Sequence, residues 1–339
     1  MIVPTGIGNQ PSSLYGKLIP SNSTFTGESR VPSKRLSSLA GPTMLLTGHE
    51  AEVLCARFNP CGNLLATASF DRKILLWDAY GNCSSYGALI GHGGAILEVC
   101  WNSSGSELVS CATDRLVCVW DVETLTRIKK LKGHKSFVNS TNYFENNLIC
   151  SGSDDGTVKI WDRRRKPELA TLDSNYPILT CCFSGTKDQI FSAGIDNDIK
   201  IWDIRTLKEE SRLVGHSDSP TGLALSPSTH HLASNSMDGT VRVWDLRPYS
   251  SGDRCIAVLA GHQHSFEKNL LRVHWSHDES RITAGSSDRY VHVWLVSNKQ
   301  LLYKLPGHTG SVNEADFHPN EPILVSASSD KTVYIGEIE

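Results

Sequence analysis

No stretch of this chain strings together the ~20 apolar residues that a membrane-crossing helix needs, and its N-terminus lacks the apolar core of a secretory signal. Positive charge is not in excess either. Lys and Arg number 33 against 36 Asp and Glu, a net charge of −3 over 339 residues. A protein held to nucleic acid by its own phosphate contacts needs clustered Lys and Arg, so direct RNA contact is expected to be secondary at most. None of the ten cysteines forms a CxxC pair, and only Cys181 and Cys182 are adjacent. Many lie in alternating apolar runs such as "VLCARF" and "LVCVWD", where Cys behaves as a small buried hydrophobe. They read as reduced thiols of the cytosol or nucleus, not as a disulfide framework. No Gly-rich phosphate loop is present.

What the chain does have is a period. Tryptophans recur at Trp77, Trp120, Trp161, Trp202, Trp244 and Trp294, and a seventh copy of the pattern, "SASSDKTVYIGEIE", places Gly336 where the next would stand. Six residues before each of these positions is an aspartate: Asp71, Asp114, Asp155, Asp196, Asp238, Asp288 and Asp330. Upstream comes Gly-His, ending at His49, His92, His134, His216, His262 and His308, while the fourth repeat has Asp173-Ser174 instead. Within each repeat, short runs with period-two alternation are separated by turn residues: "VLCARFN", "LLATAS" and "ILLWDA" in the first, then a weaker "YGALI". Four strands per repeat of about 40–45 residues, with Gly-His and Trp-Asp, mark a WD40 propeller blade.

Residues 41–339 thus resemble the WD-repeat family, and the expected fold is all-β, a seven-bladed propeller. The last repeat ends after three strands, and "PTMLL" before His49 has no blade of its own. Thr43–Leu46 is therefore expected to supply the outer strand of blade seven and close the ring. Residues 1–40 hold eight Ser, four Pro and four Gly and few large apolar groups. They read as a disordered arm whose Arg30, Lys34 and Arg35 are solvated.

Each complete repeat brings together His, Ser or Thr, Asp and Trp. His92, Ser110 and Asp114 alone could pass for a hydrolase triad, but a nucleophilic site needs one constellation with an oxyanion hole and a cleft. A set recurring in blade after blade is structural. In the family this sequence resembles, these residues form a hydrogen-bonded tetrad, which implies that role for the His, Asp and Trp positions given above. Blade four lacks the histidine, so Asp196 is expected to rely on turn N–H groups, and Asp155→Ala to cost more than Asp196→Ala. His262 and His264 are spaced H-x-H, but no Cys pair or further close His completes a zinc site, and His262 is assigned to its tetrad. No enzyme, metal, cofactor or small-molecule substrate is expected.

A propeller acts through its faces. The residues beside the turn aspartates and before the first strands include Phe70, Phe137, Tyr176, Ile195 and Met237, too apolar for ordinary turns. With Phe266, Glu267 and Lys268, in a loop four residues longer than its counterparts, they form the candidate partner-binding set. Three blades carry Trp-Asp-x-Arg (Arg164, Arg205, Arg247), a pattern similar to that of WD-repeat substrate receptors of cullin-type ubiquitin ligases. "HSFEKNLLR", "GIDNDIKIWD", "DGTVRVWDLRPY" and "LYKLPGH" instead resemble the WD-repeat proteins of the spliceosomal U5 snRNP, and that likeness spans all seven blades. It implies a nuclear, non-catalytic splicing component: a monomeric subunit that joins the U5 particle through proteins, chiefly its large scaffold protein. A ubiquitin-ligase receptor is the second reading. A G-protein-β-like scaffold is third, because residues 1–40 carry no heptads.

Overall fold

The computed structural model describes residues 37–144, 147–165, 168–186, 188–248 and 253–338. Its 28 strands form seven four-stranded antiparallel sheets, one per repeat, with no α-helix among the described residues. In blade one the strands are Val53–Phe58, Leu64–Ser69, Lys73–Asp78 and Ser85–Ile90, hydrogen-bonded in that order. The first strand of each blade packs against its counterparts in the neighbouring blades and is almost wholly buried. The fourth is the outer edge and alternates exposed and buried residues, as a half-solvated strand must.

Closure works as the repeat pattern requires. Thr43–Thr47 pairs antiparallel with Thr332–Glu337, running from Thr43 opposite Gly336 to Thr47 opposite Thr332. This tie between the two ends of the propeller leaves blade seven with the same four strands as its siblings. The chain is engaged earlier than position 41, however. Leu39 is 2% exposed and packs with Leu46, Val53 and Ile323. Ala40 N–H donates to Gly81 O at 2.9 Å, and Ser38 bonds Glu321 through both its N–H and its hydroxyl. Ser37–Ala40 thus belong to the propeller, which corrects the boundary at 41. One apolar residue suffices when it fills the seam where blades seven and one meet. Arg30, Lys34 and Arg35 lie outside the described residues.

Blade six departs from the rule. Its first strand is only Val273–Trp275, not the run from Leu270 that the period suggests. Arg272 N–H donates instead to Asn313 O of blade seven, at 2.9 Å. Leu271 O accepts from Thr221 Oγ1 and Asn235 Nδ2 of blade five, at 2.8 and 3.1 Å. Arg272 O also accepts from Gly285 N–H of its own blade at 3.2 Å, so the chain here is shared between its own sheet and two neighbouring blades.

Candidate functional site

The repeated polar residues form relays. In blade one Trp77 Nε1–H donates to Thr67 Oγ1 at 2.9 Å, the hydroxyl meets His49 Nε2 at 2.9 Å, and His49 Nδ1 meets Asp71 Oδ2 at 2.9 Å. The carboxylate also accepts the Glu50 and Lys73 N–H groups, so it fixes the turn between the second and third strands. The same chain of bonds runs through Trp120, Ser110, His92 and Asp114 in blade two. It recurs through Trp161, Ser151, His134 and Asp155 in blade three, and Trp244, Ser234, His216 and Asp238 in blade five. Blade seven keeps His308, Ser326 and Asp330, with Tyr334 edge-on to the histidine at 4.7 Å. Burial works to raise the pKa of Asp155, Asp238 and Asp330. The histidine bonds, with the Thr157, Thr240 and Thr332 hydroxyls, outweigh it and hold all three well below the usual carboxylate range.

Two blades solve the problem differently. In blade four Trp202 Nε1–H still reaches Ser192 Oγ at 2.7 Å, but Asp196 is not left to turn N–H groups. Lys200, 3% exposed, places its ammonium 2.6 Å from Asp196 and donates to Ser174 Oγ and Ser174 O, at 2.7 and 3.0 Å. A lysine stands in for the missing imidazole because Ser174 vacates the space a histidine ring would fill. In blade six His262 is not in a tetrad. Ala284 occupies the position of the Ser or Thr, so His262 has no hydroxyl to meet, and both its ring nitrogens are buried without a hydrogen-bond partner. Asp288 pairs with His292 Nε2 at 3.0 Å and Lys304 at 2.9 Å, and Trp294 Nε1–H turns to Ala260 O. Burial, then the neighbouring His264 and His292, push His262 down to about 3, and burial takes His264 to about 4. Among the described residues no three His, Cys, Asp or Glu side chains are placed to share a metal.

Around the propeller axis lies a charged network that the sequence reading missed. Arg57 Nη2 bonds Glu98 at 2.6 Å, and its Nε bonds Glu314 at 3.0 Å. His274 Nε2 meets Glu314 at 2.7 Å. Arg272 Nη2 donates to Asn139 O at 2.6 Å and Nη1 to Thr221 O at 2.8 Å and Leu179 O at 3.3 Å, with Glu98 Oε2 3.5 Å away. One blade-six guanidinium thus ties blades two, three, four and five across the axis. Gly222 makes room: a Cβ there would stand 3.0 Å from Arg272 Cα. Burial would raise the Glu314 carboxyl, but Arg57 and His274 hold it well below its ordinary value. The signal was readable: Glu98, Arg272 and Glu314 occupy one register position of the inner strands, and charge is unusual in those apolar runs.

The turn residues sit where a partner could reach them. Phe70, Phe137, Tyr176 and Ile195 are all half or more exposed, and Met237 is half-buried. The backbone of Phe70, Ile195 and Met237 is tied to Glu52, Pro177 and Ser219, and that of Phe137 to Asp154. Phe70 borders a depression of about 240 Å³ shared with Glu50, Ala51, Glu52 and Lys331. In the long loop of blade six Phe266 is 100% exposed, and Glu267 and Lys268 are exposed beside it. The loop is not slack. Ser265 N–H donates to Ser287 Oγ at 2.9 Å, Asn269 Nδ2 to Ser311 Oγ at 3.0 Å, and Lys268 adopts a left-handed φ of 52°. The Trp-Asp-x-Arg arginines are engaged: Arg164 with Asp162, Arg205 with Asp188, Arg247 with Asp245.

Comparison with known proteins agrees with this architecture. Residues 41–78, 83–121, 125–162, 166–203, 207–245, 253–294 and 299–335 each match the family described as WD domain, G-beta repeat. The U5 small nuclear ribonucleoprotein 40 kDa protein of Homo sapiens is 56% identical over 307 residues, 90% of this chain and 86% of that protein. The protein of the same name from Dictyostelium discoideum is 43% identical over 310 residues, 91% and 87% of the two chains. Pre-mRNA-splicing factor cwf17 of Schizosaccharomyces pombe is 41% identical over 307 residues, 90% of each.

Proposed function

This chain belongs to the WD40-repeat family and, within it, to the family of U5 small nuclear ribonucleoprotein 40 kDa proteins; from that premise we propose that it is a non-catalytic scaffold of the U5 particle in pre-mRNA splicing. The carrying observation is identity of 41–56% extending over nine-tenths of the chain, through all seven blades rather than at the repeat signatures alone. The nucleus is its place of action, and its immediate partners are spliceosomal proteins, first among them the large scaffold protein of the U5 particle. Its recurrent His–Ser–Asp sets are occupied in holding turns, which supports a role without chemistry of its own.

The docking surface we assign is the face carrying Phe70, Phe137, Tyr176, Ile195, Met237 and the Phe266–Lys268 loop tip. An unburied aromatic on an anchored loop loses little conformational entropy on binding and gains its full apolar area. The ubiquitin-ligase reading draws no support from the three arginines, each already paired within its own blade. The test is affinity purification of the tagged chain from nuclear extract. U5 snRNA and the large scaffold protein should be recovered with it. Phe266→Asp should leave the unfolding midpoint unchanged and weaken recovery by about 30-fold or more, the effect of losing an aromatic anchor worth at least ~2 kcal/mol. Recovery of a cullin adaptor without snRNP would overturn the function. Undiminished recovery with Phe266→Asp would overturn the docking surface alone.

A further inference from the structure

The seven outer strands should be interchangeable if they only finish their blades, yet one differs in charge. Thr126–Lys132 of blade two, "TRIKKLK", carries Arg127, Lys129, Lys130 and Lys132 and no acid. The outer strands Thr43–Thr47, Ser85–Ile90 and Cys255–Ala260 carry no charge at all, Glu168–Asp173 is acidic, Lys208–Leu213 is balanced, and Gln300–Leu305 has a single lysine. Lysines on an edge strand can serve only to discourage edge-to-edge pairing. Three edges of the same kind do without any, so that need does not account for four.

The fold gathers this charge. In the pairing of Leu116–Asp121 with Thr126–Lys132, Lys132 lies opposite Leu116, Lys130 opposite Cys118 and Arg127 opposite Trp120. Leu116, Cys118 and Trp120 alternate along one strand face, so their three partners share that face as well. Sequence spacing alone would put Arg127 and Lys130 on opposite faces. A bulge at Ile128 turns Arg127 to the side of the lysines. Arg127 is then held by Nη1–H to Gly91 O at 2.7 Å, over the Trp120 ring. Lys129 points the other way and donates to Arg163 O at 2.6 Å and to Arg165 O. It thereby fastens the exposed turn of Arg164 and Arg165 beside the strand, joining two basic runs more than thirty residues apart. The acids near the strand are engaged by other groups: Asp114, in the turn before Leu116, with His92 and the Gly93 N–H, Glu168, beside Gly133, with Lys159, Glu107 with Arg163, and Asp162 with Arg164 and Arg165, while Asp121 and Glu123 lie at the strand's far turn. Lys130 and Lys132, both exposed, have no acid partner among the described residues.

We propose that this rim of blade two binds the phosphodiester backbone of RNA. Lys130 and Lys132 stand about 6.6 Å apart, two residues' rise of a strand, a spacing that lets each meet a successive phosphate of one nucleic-acid strand. Lysines are point charges indifferent to oxygen orientation, and the only large apolar side chain of the strand that is well exposed is Ile128, so no platform for stacked bases adjoins them. The contact is therefore one of positioning without sequence readout. It adds to the splicing role argued above and lies on the outer rim, apart from the turn residues assigned to the protein partner.

The test is fluorescence anisotropy of a labelled RNA hairpin with the full chain between ~50 and ~200 mM salt. Lys130→Gln/Lys132→Gln is expected to weaken binding and lower the slope of log affinity against log salt by about 2, one for each phosphate no longer neutralised. Lys208→Gln/Lys299→Gln, at two other exposed rim lysines, should change neither. Absence of RNA binding, equal effects of the two double variants, or binding of a polyglutamate peptide in place of RNA would each overturn the assignment. Particle recovery through Phe266 is read in a separate experiment, so either proposal can fail alone.

Discussion

Removing the axial guanidinium by Arg272→Met should destabilise the whole propeller. Arg272 is 3% exposed and binds one carbonyl in each of blades three, four and five, while facing Glu98 in blade two. The loss is not that of an unpaired buried carboxylate, because Glu98 keeps Arg57 at 2.6 Å and the Thr141 N–H at 3.0 Å. Most of it comes from three carbonyls deprived of a charged donor. Each such bond contributes about 1.5–3 kcal/mol, and part returns as methionine buries its apolar chain. The net cost is about 3 kcal/mol, at the lower end of what breaking a buried ionic contact costs. For a chain of this size that lowers Tm by about 4–5 °C. Urea titration followed by tryptophan fluorescence reads it directly, with calorimetry as a second probe. Arg272→Lys should lose about half as much, since one ammonium cannot span carbonyls on three blades. Arg247→Gln, which breaks an exposed pair, should leave stability nearly unchanged. A loss for Arg272→Met no larger than that of Arg247→Gln would refute the idea that this residue ties the blades together.

Two further outcomes follow from the blades that break the repeat. Asp196→Ala should cost at least as much as Asp155→Ala, by about 3–5 kcal/mol, because it strands the buried Lys200 ammonium; this reverses the order the repeat pattern alone suggests, and a clearly smaller loss in urea titration would show that Ser174 alone satisfies the lysine. Stability should also fall between pH 7 and pH 5. His262 and His264 stay neutral in the fold down to about 3 and about 4, whereas in the unfolded chain they take up protons below 6.5. A folded pKa below the unfolded one means stability present at neutral pH and lost as pH falls from 6.5 toward the folded value, here roughly 2 kcal/mol per residue by pH 5. His262→Phe/His264→Leu should flatten that dependence, and an equally steep loss in the double variant would place its origin elsewhere.

The architecture was legible because a propeller states itself locally. Asp71 and Trp77 lie in one blade, the spacing repeats, and the missing fourth strand of blade seven points to Thr43–Thr47. What was not legible depends on contacts between blades or on substitution within one. Arg272 reaches Leu179 and Asn139, 93 and 133 residues away, and no local pattern encodes that. Lys200 occupies the same register as Lys159 in blade three, yet Lys159 turns to Glu168 and Thr171 while Lys200 turns inward to Asp196. The lysine is the same; the absent histidine decides which way it points. Leu39 was missed because a Ser-rich setting masks one apolar residue with a seam to fill.

Blade six shows why departures should be read together. Ala284 removes the hydroxyl, His262 loses its relay, and His292, at the register of Lys200, takes over Asp288. Regular pairing of the first strand begins only at Val273, with the Arg272 N–H turned to Asn313 O of blade seven and its guanidinium reaching across the axis. A chain drawn inward at Arg272 needs slack before it, and the four added residues ending at Asn269 supply that slack. Loop closure over four more residues costs only a few tenths of a kcal/mol, little against what the axial contacts contribute. The long loop therefore has a structural cause even if Phe266 binds nothing. Shortening it would disturb Arg272 and the loop tip at once and could not separate them. Phe266→Asp leaves the slack in place and changes only the exposed tip, so its effect on particle association reports docking alone.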